Sequence, residues 1–297
     1  MRSTTLMLVA VFILVGVYES VVFAGGVIGP PKAVIQKGEW GVGAGYFYEV
    51  MDLDAIGVCE FTEPGGTLLD LGPNQNPVHD SWKVKDLKTS TFFADLSYGI
   101  NDKWEVFVRL GMADASDEIR PEESVATEDD LIESKYSLGG GYGFSWGLGT
   151  RTTLWQKGPW GLGGVAQFIS INSGSSTFSS VEVDETTRSG SIELDFWQVQ
   201  IALGLTYETN KVCAYAGPLV QWVKGDLDLK YTGYTTPPVE PYLLAACPHD
   251  IDEWQIGGFA GVRWAVFQGV DWYAEAQFTG DSWGAGTGLA WRINNKE

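Results

Sequence analysis

The strongest constraint on this chain is a period-two alternation that runs for about ten residues at a time and recurs from near Gly38 to Ile293. In the first such segment Trp40, Val42, Ala44, Tyr46, Tyr48 and Val50 fall on one face, with Gly41, Gly43, Gly45, Phe47 and Glu49 on the other. The same pattern returns in Phe92 to Ile100, Trp104 to Met112, Trp160 to Phe168, Trp197 to Tyr207, Trp254 to Val266, Trp272 to Phe278 and Trp283 to Ile293. Tyr136 to Trp155 is a longer segment, and Val212 to Val223 carries Pro218 and is ambiguous in phase. These segments make about ten strands; twelve is the other count the spacing allows, because Tyr136 to Trp155 has room for an extra reversal.

The connections alternate in length. Short turns fall at 101–103, 156–159, 209–211 and 268–271, and long polar stretches at 51–88, 113–134, 173–191 and 224–252. The fifth connection on the long side, 279–282, is short. In hydrocarbon each unpaired backbone group costs several kcal/mol, so a sheet crosses a membrane only by closing on itself. No stretch after the first two dozen residues has 18 consecutive apolar positions, which excludes a transmembrane helix. The expected fold is all-β: an antiparallel up-and-down transmembrane β-barrel with short periplasmic turns and long acidic extracellular loops. Aromatics at the strand ends, among them Trp40, Trp104, Trp155, Trp160, Tyr207, Trp254, Trp272 and Trp291, suit interfacial girdles. A soluble sandwich or lipocalin-like barrel would have shorter strands, similar turns at both ends and bulky residues on both faces.

Arg2, the apolar run Leu6 to Val17 and then Val22-Phe23-Ala24 form a signal-peptide pattern, so residues 1–24 are expected to be cleaved. Residues 25–37 then form a periplasmic segment, 38–293 the barrel and 294–297 a tail, with the bacterial outer membrane as destination. The 38 acidic side chains against 19 basic ones, a net charge of −19, would repel a phosphate backbone, which argues against nucleic acid as a partner and leaves membrane lipid and further copies of the chain. Two histidines and three cysteines leave little room for a histidine-rich metal enzyme, and no cofactor or metal is expected.

The inner face would carry Glu49, Asp95, Glu105, Arg109, Arg151, Glu208, Arg263, Glu275 and Arg292, with Gln198 and Gln200. Mixed charges in a narrow barrel have two readings, a salt-bridge network that fills the lumen or a polar pore with arginines facing carboxylates. Ten strands lie between the filled eight-stranded barrel and the open porin, and inward glycines subtract filling volume. The second long connection holds nine acids, including Asp114, Asp117, Glu118, Glu128, Asp129 and Asp130, without calcium-loop spacing, and reads as a hydrated acidic loop. Cys59 and Cys247 sit in the first and fourth long connections, in an oxidising space, and could pair; Cys213 reads as an apolar filler within a strand.

Ser145-Trp146-Gly147-Leu148-Gly149-Thr150-Arg151-Thr152-Thr153-Leu154-Trp155, with the turn and strand to Gln167-Phe168, resembles a strand pair of the chlamydial-type major outer membrane protein porins. Phe196 to Tyr207 with Ala214-Tyr215-Ala216-Gly217 resembles another of that family's hairpins. The resemblance implies a general porin, with a trimer among its assemblies. The expected function is a narrow channel for small solutes or cations, with a non-conducting structural or adhesive surface protein as the alternative. The enzymatic alternative is an outer-membrane hydrolase similar to the omptin proteases, using His249 and Asp250 opposite Asp80 or the acids of the second long connection. The expectation is no enzyme.

Overall fold

The structure, a computed structural model, describes residues 26–62, 78–121, 136–138, 142–181, 187–234 and 243–293. The expected signal peptide, the tail 294–297 and the acids Glu128, Asp129 and Asp130 lie outside these residues. The strands are β1 (Trp40–Thr62), β2 (Val78–Asn101), β3 (Trp104–Pro121), β4 (Tyr136–Leu138), β5 (Gly143–Lys157), β6 (Trp160–Val181), β7 (Thr187–Glu208), β8 (Val212–Tyr234), β9 (Leu243–Phe267), β10 (Val270–Thr279) and β11 (Ser282–Ile293). Each pairs antiparallel with its neighbours, and β1 pairs with β11 to close the ring. The short β4 extends the pairing of β5 with β3, so the ring has ten strands. Despite Pro218, β8 is continuous, because that residue faces outward and only the pairings of Leu203 and Gly204 beside it drop out of an otherwise constant β7–β8 register.

The outward face carries a band of exposed apolar side chains. Its upper limit is an aromatic chain across five strands: Trp146 to Phe168 (5.3 Å between ring centroids), Phe168 to Trp197 (5.9 Å), Trp197 to Trp222 (4.8 Å) and Trp222 to Trp254 (5.2 Å, stacked). The lower limit, at the short-turn end, includes Trp40 against Tyr98 and Trp160 against Tyr207. From Tyr207 to Trp197 is about ten strand steps, or ~33 Å of strand at ~3.3 Å per residue. A tilt of about 40° reduces that to roughly 25 Å, the height of the apolar band of outer-membrane barrels.

Above the upper aromatics the strands continue, where the sequence reading placed loops. Positions 51–62, 78–88, 113–121 and 224–234, and parts of 173–191 and 243–252, are strand, so Asp114, Asp117 and Glu118 lie on β3 and not in a loop. On β1 and β7 the parity of in and out is unbroken, but the residue chemistry on each face reverses. On β1 the outward residues change from Tyr46 and Tyr48 to Asp52 and Asp54, while the inward residues change from Gly43 and Gly45 to Met51, Leu53 and Ala55. On β7 the outward Ile201, Val199 and Trp197 give way to Glu193, and the inward Gln200 and Gln198 to Phe196, Leu194 and Ile192. Water replaces lipid outside the upper barrel, so apolar side chains there gain by turning inward. The amphipathic alternation persists with its sign changed, and a reader looking for outward apolar residues takes the segment for a polar loop.

The ring also narrows. The β10–β11 hairpin ends at Gly280 and Asp281, and above it β1 pairs directly with β9, from Ala55 opposite Ile251 to Thr62 opposite Leu244. Ten strands surround the lumen at the apolar band and eight surround it above. A bulge marks the level: the β1–β2 register shifts between Met51 and Leu53, Asp86 takes φ 58°, and its N–H donates to Asp52 Oδ1 (2.7 Å).

Candidate functional site

The lumen is the candidate site, and three layers fill it. The lowest is the chain's own N-terminal segment. Residues 25–37 were expected to lie in the periplasm, but Gly26 to Lys32 and Ile35 are buried inside the barrel. The segment enters at the short-turn end, where the Gly38 N–H donates to the Gly99 carbonyl (2.8 Å), and rises to Gly26 near mid-height. Inward glycines make its space. A Cβ at Gly163 would run into the Pro31 carbonyl, one at Gly204 would meet the Pro31 ring, and one at Gly286 would meet Val27. The volume the glycines release is therefore occupied, by this segment and by the inward rings of Phe47, Phe93, Tyr215, Phe259 and Tyr273.

A segment without secondary structure cannot bury its amides unpaired, and the barrel supplies their partners. Glu275 accepts from the Ile28 and Gly29 N–H groups (2.8 and 2.9 Å), and Glu105 Oε2 accepts from those of Val34 and Ile35 (2.6 and 2.8 Å). Arg109 donates to the Val27 carbonyl (3.1 Å) and Arg151 to that of Ile28 (3.1 Å). Gln167 and Gln277 donate to the Gly26 carbonyl (3.2 and 3.1 Å).

All nine charged residues expected on the inner face point inward, and most of them serve this segment or one another. Arg109 holds Asp95 through two nitrogens (2.7 and 3.0 Å) with its guanidinium 4.0 Å from the Phe93 ring centre. Arg151 holds Glu105 (2.7 Å) and lies over Phe107. At the short-turn mouth Glu208 accepts from Lys32 and from Arg263 (2.7 Å), and Asp271 lies 3.5 Å from Arg292. The free space among these pairs is a cavity of about 70 Å³, bordered by Arg109, Arg263, Asp271 and Arg292, room for a few waters.

Above the segment lies an amide layer around Glu49, which is 2% exposed. Gln198 and Gln221 each donate to it at 3.2 Å, and Gln200 links Gln167, Gln221 and Gln277. The third layer is the apolar interior of the eight-stranded part, where Met51, Leu53, Leu87, Ile171, Leu194 and Ile251 are among sixteen buried residues in one cluster. An eight-stranded ring is just wide enough for its side chains to fill.

The remaining candidates separate. Asp114 lies above the apolar band, 7% exposed, with Oδ1 unpartnered among the described residues; burial pushes its carboxyl up. His249 is on β9, inward and 2% exposed, while Asp250 is exposed on the opposite face, so the two form no dyad; in backbone register His249 and Asp80 both lie opposite Gly57. Cys213 is buried in the lumen wall with a free thiol. The β1–β9 register, with Gly57 opposite His249 and Glu60 opposite Ala246, sets Cys59 level with Cys247. Where β1 passes from β11 to β9 there is a recess of about 790 Å³ bordered by Asp52, Asp54, Asp250, Asp252, Glu253 and Asp281, with Lys85. Among the described residues no three His, Cys, Asp or Glu side chains are grouped so as to hold a metal ion.

Sequence reasoning missed Lys32, Gln167, Gln221, Gln277, Asp271 and the backbone of residues 26–35. The available signal was the excess of glycine and unmatched hydrogen-bonding groups on the inner face, which requires something to fill and pair them.

No family model and no curated protein matches the chain. Among solved structures it is similar to the outer membrane protease OmpT from Escherichia coli, at 9% identity and TM-score 0.46 over 85% of this chain and 97% of that one. It is also similar to the β domain of the Bordetella autotransporter BrkA, at 13% identity and TM-score 0.39 over 86% and 100% of the two chains. A third is the translocator domain of autotransporter NalP from Neisseria meningitidis, at 12% identity and TM-score 0.38 over 85% and 88%.

Proposed function

We propose that this chain is a non-enzymatic protein of the bacterial outer membrane whose barrel does not conduct, and that it serves as a structural or adhesive anchor for its long-strand end. Membrane insertion is supported by the exposed apolar band of roughly 25 Å between two aromatic levels, which water would solvate poorly and lipid well. The silent lumen is supported by one observation above the rest: residues 26–35 occupy it and are hydrogen-bonded to the wall by Glu105, Arg109, Arg151 and Glu275. The eight-stranded part above would then stand outside the cell as a stiff stalk with Asp52, Asp54, Glu193, Asp226, Asp250 and Asp252 on its surface.

The narrow porin that the mixed charges of the inner face allow is the second reading. It would require residues 26–35 and the apolar layer to move together. Purified protein in a planar bilayer separates the two. The anchor reading expects no stepwise conductance, and stepwise cation-preferring currents that fall in Asp95→Asn or Glu105→Gln would overturn it.

A further inference from the structure

The cavity of about 70 Å³ toward the short-turn mouth is lined by four arginines, Arg109, Arg151, Arg263 and Arg292, and by three acids, Asp95, Glu105 and Asp271. Two of the arginines are matched within this group, Arg109 by Asp95 and Arg151 by Glu105, each at 2.7 Å. Arg263 and Arg292 share Asp271, at 3.9 and 3.5 Å. Arg263 also donates to Glu208, but Lys32 matches that carboxylate. Four positive charges therefore face three negative ones, and including the Glu208–Lys32 pair leaves the excess of one unchanged. Glu275, higher in the lumen, does not border the cavity; its oxygens accept from the Ile28 and Gly29 N–H groups and from Gln277.

The hydrogen bonds show the same surplus. Arg109 Nη1, Arg263 Nη1 and Arg292 Nε are buried without an acceptor among the described residues, and all three side chains border the cavity. Arg109 is 2% exposed, so bulk water does not reach its free nitrogen. A buried donor without an acceptor and a buried charge without a counterion are both costly. Water in the cavity would supply acceptors but no charge. We propose that the cavity binds one small monovalent inorganic anion, of the size and charge of chloride, held by Arg109, Arg263 and Arg292. A single water needs roughly 10–15 Å³ of such space, so about 70 Å³ admits a halide ion with some water and no large organic anion.

The inserted segment supplies part of the lining, with Val27, Gly29, Pro30, Val34 and Ile35. An anion here lies between that segment and the barrel wall, and its charge holds Arg263 and Arg292 in place beside both. The Arg292 side chain is 36% exposed at the short-turn mouth, which gives the ion a route in without unfolding. An anion bound only by the folded chain stabilises it by mass action, and fastens residues 26–36 most directly. The inference goes beyond the anchor reading and is independent of whether the barrel conducts.

The test is the chlorine NMR linewidth of sodium chloride in the presence of the protein, expressed as the full chain in a bacterial host and folded in non-ionic detergent micelles. Protein should broaden the line, added bromide should compete and narrow it, and Lys103→Gln, which removes an exposed turn lysine, should change nothing. Arg292→Gln, folded as judged by heat-modifiable gel mobility, removes the unmatched charge and should weaken chloride at least ~10-fold. Asp271→Asn leaves two unmatched guanidinium charges and should tighten it. In the wild type, protease should cut residues 26–36 more slowly as chloride replaces gluconate at constant ionic strength, with a saturating dependence. In crystals grown with bromide, an anomalous peak should lie among Arg109, Arg263 and Arg292. Broadening that bromide does not relieve, or digestion indifferent to chloride, overturns the proposal without requiring any variant to fold. Broadening unchanged in a folded Arg292→Gln, or lost in Lys103→Gln, assigns the signal to the protein surface and overturns it as well.

Discussion

Replacing Glu105 by alanine should destabilise the barrel far more than any surface charge change. Glu105 is 1% exposed and holds three partners, the Arg151 guanidinium at 2.7 Å and the amides of Val34 and Ile35 at 2.6 and 2.8 Å. Removing one side of a buried ion pair costs about 3–5 kcal/mol, because the other charge is left without a partner. Each buried amide that loses its acceptor adds about 1–3 kcal/mol. The three losses share one site and relax together, so their plain sum is an upper limit, and about 4–6 kcal/mol is expected. The matched control is Lys224→Ala, which leaves the hydrogen bond from Trp222 Nε1 to Asp252 in place. It breaks the Lys224–Asp252 pair, 3.8 Å apart with both side chains about half exposed, and exposed pairs are worth about 0–1 kcal/mol. Urea unfolding in micelles, followed by tryptophan fluorescence, measures both. Limited proteolysis at the short-turn end should also cut residues 26–36 of Glu105→Ala faster. If Glu105→Ala costs less than about 1 kcal/mol, water already solvates these groups, the lumen is wet rather than filled, and the porin reading gains.

Three further outcomes follow from the geometry. Gly204→Val places a side chain where the Pro31 ring lies; the barrel should still form, with residues 26–36 displaced and cut early by protease, and an unchanged digestion pattern would count against the packing described. Cys59 and Cys247 are level on paired strands, so an oxidising envelope should join them, visible as a mobility shift on a non-reducing gel that Cys59→Ser abolishes; persistent reaction of both thiols with maleimide in the oxidised folded protein would refute it. Burial raises the Asp114 carboxyl above its unfolded value, so its contribution favours the fold below the unfolded value and turns unfavourable as pH rises through that range. Asp114→Asn should accordingly stabilise the protein at pH 7 to 8 relative to wild type and lose that advantage near pH 3; urea midpoints across pH decide it.

Much of the wall could be read from local chemistry. The hairpin at Asn101 to Lys103, the outward stripe from Trp197 to Tyr207 and the inward placement of Arg109 and Glu275 each follow from parity within one strand, and parity is local. The upper halves of β1 and β8 were missed for an equally physical reason. Their outward residues, Asp52 and Asp54 or Lys224 and Asp226, are what water outside the membrane demands, and such residues look like loop.

The sequence by itself determined that this chain makes a closed antiparallel barrel with an apolar outer band and a charged, glycine-rich inner face, because alternation along each strand records which side meets which solvent. Only the tertiary structure decided what fills the barrel and how many strands enclose each level. Residues 26–35 have no periodicity, so nothing local marks them as interior; their place depends on Glu105, Glu275 and Arg151, which lie 70 to 247 positions away along the chain. The direct pairing of β1 with β9 depends likewise on β10 and β11 ending early, and no strand carries that information alone.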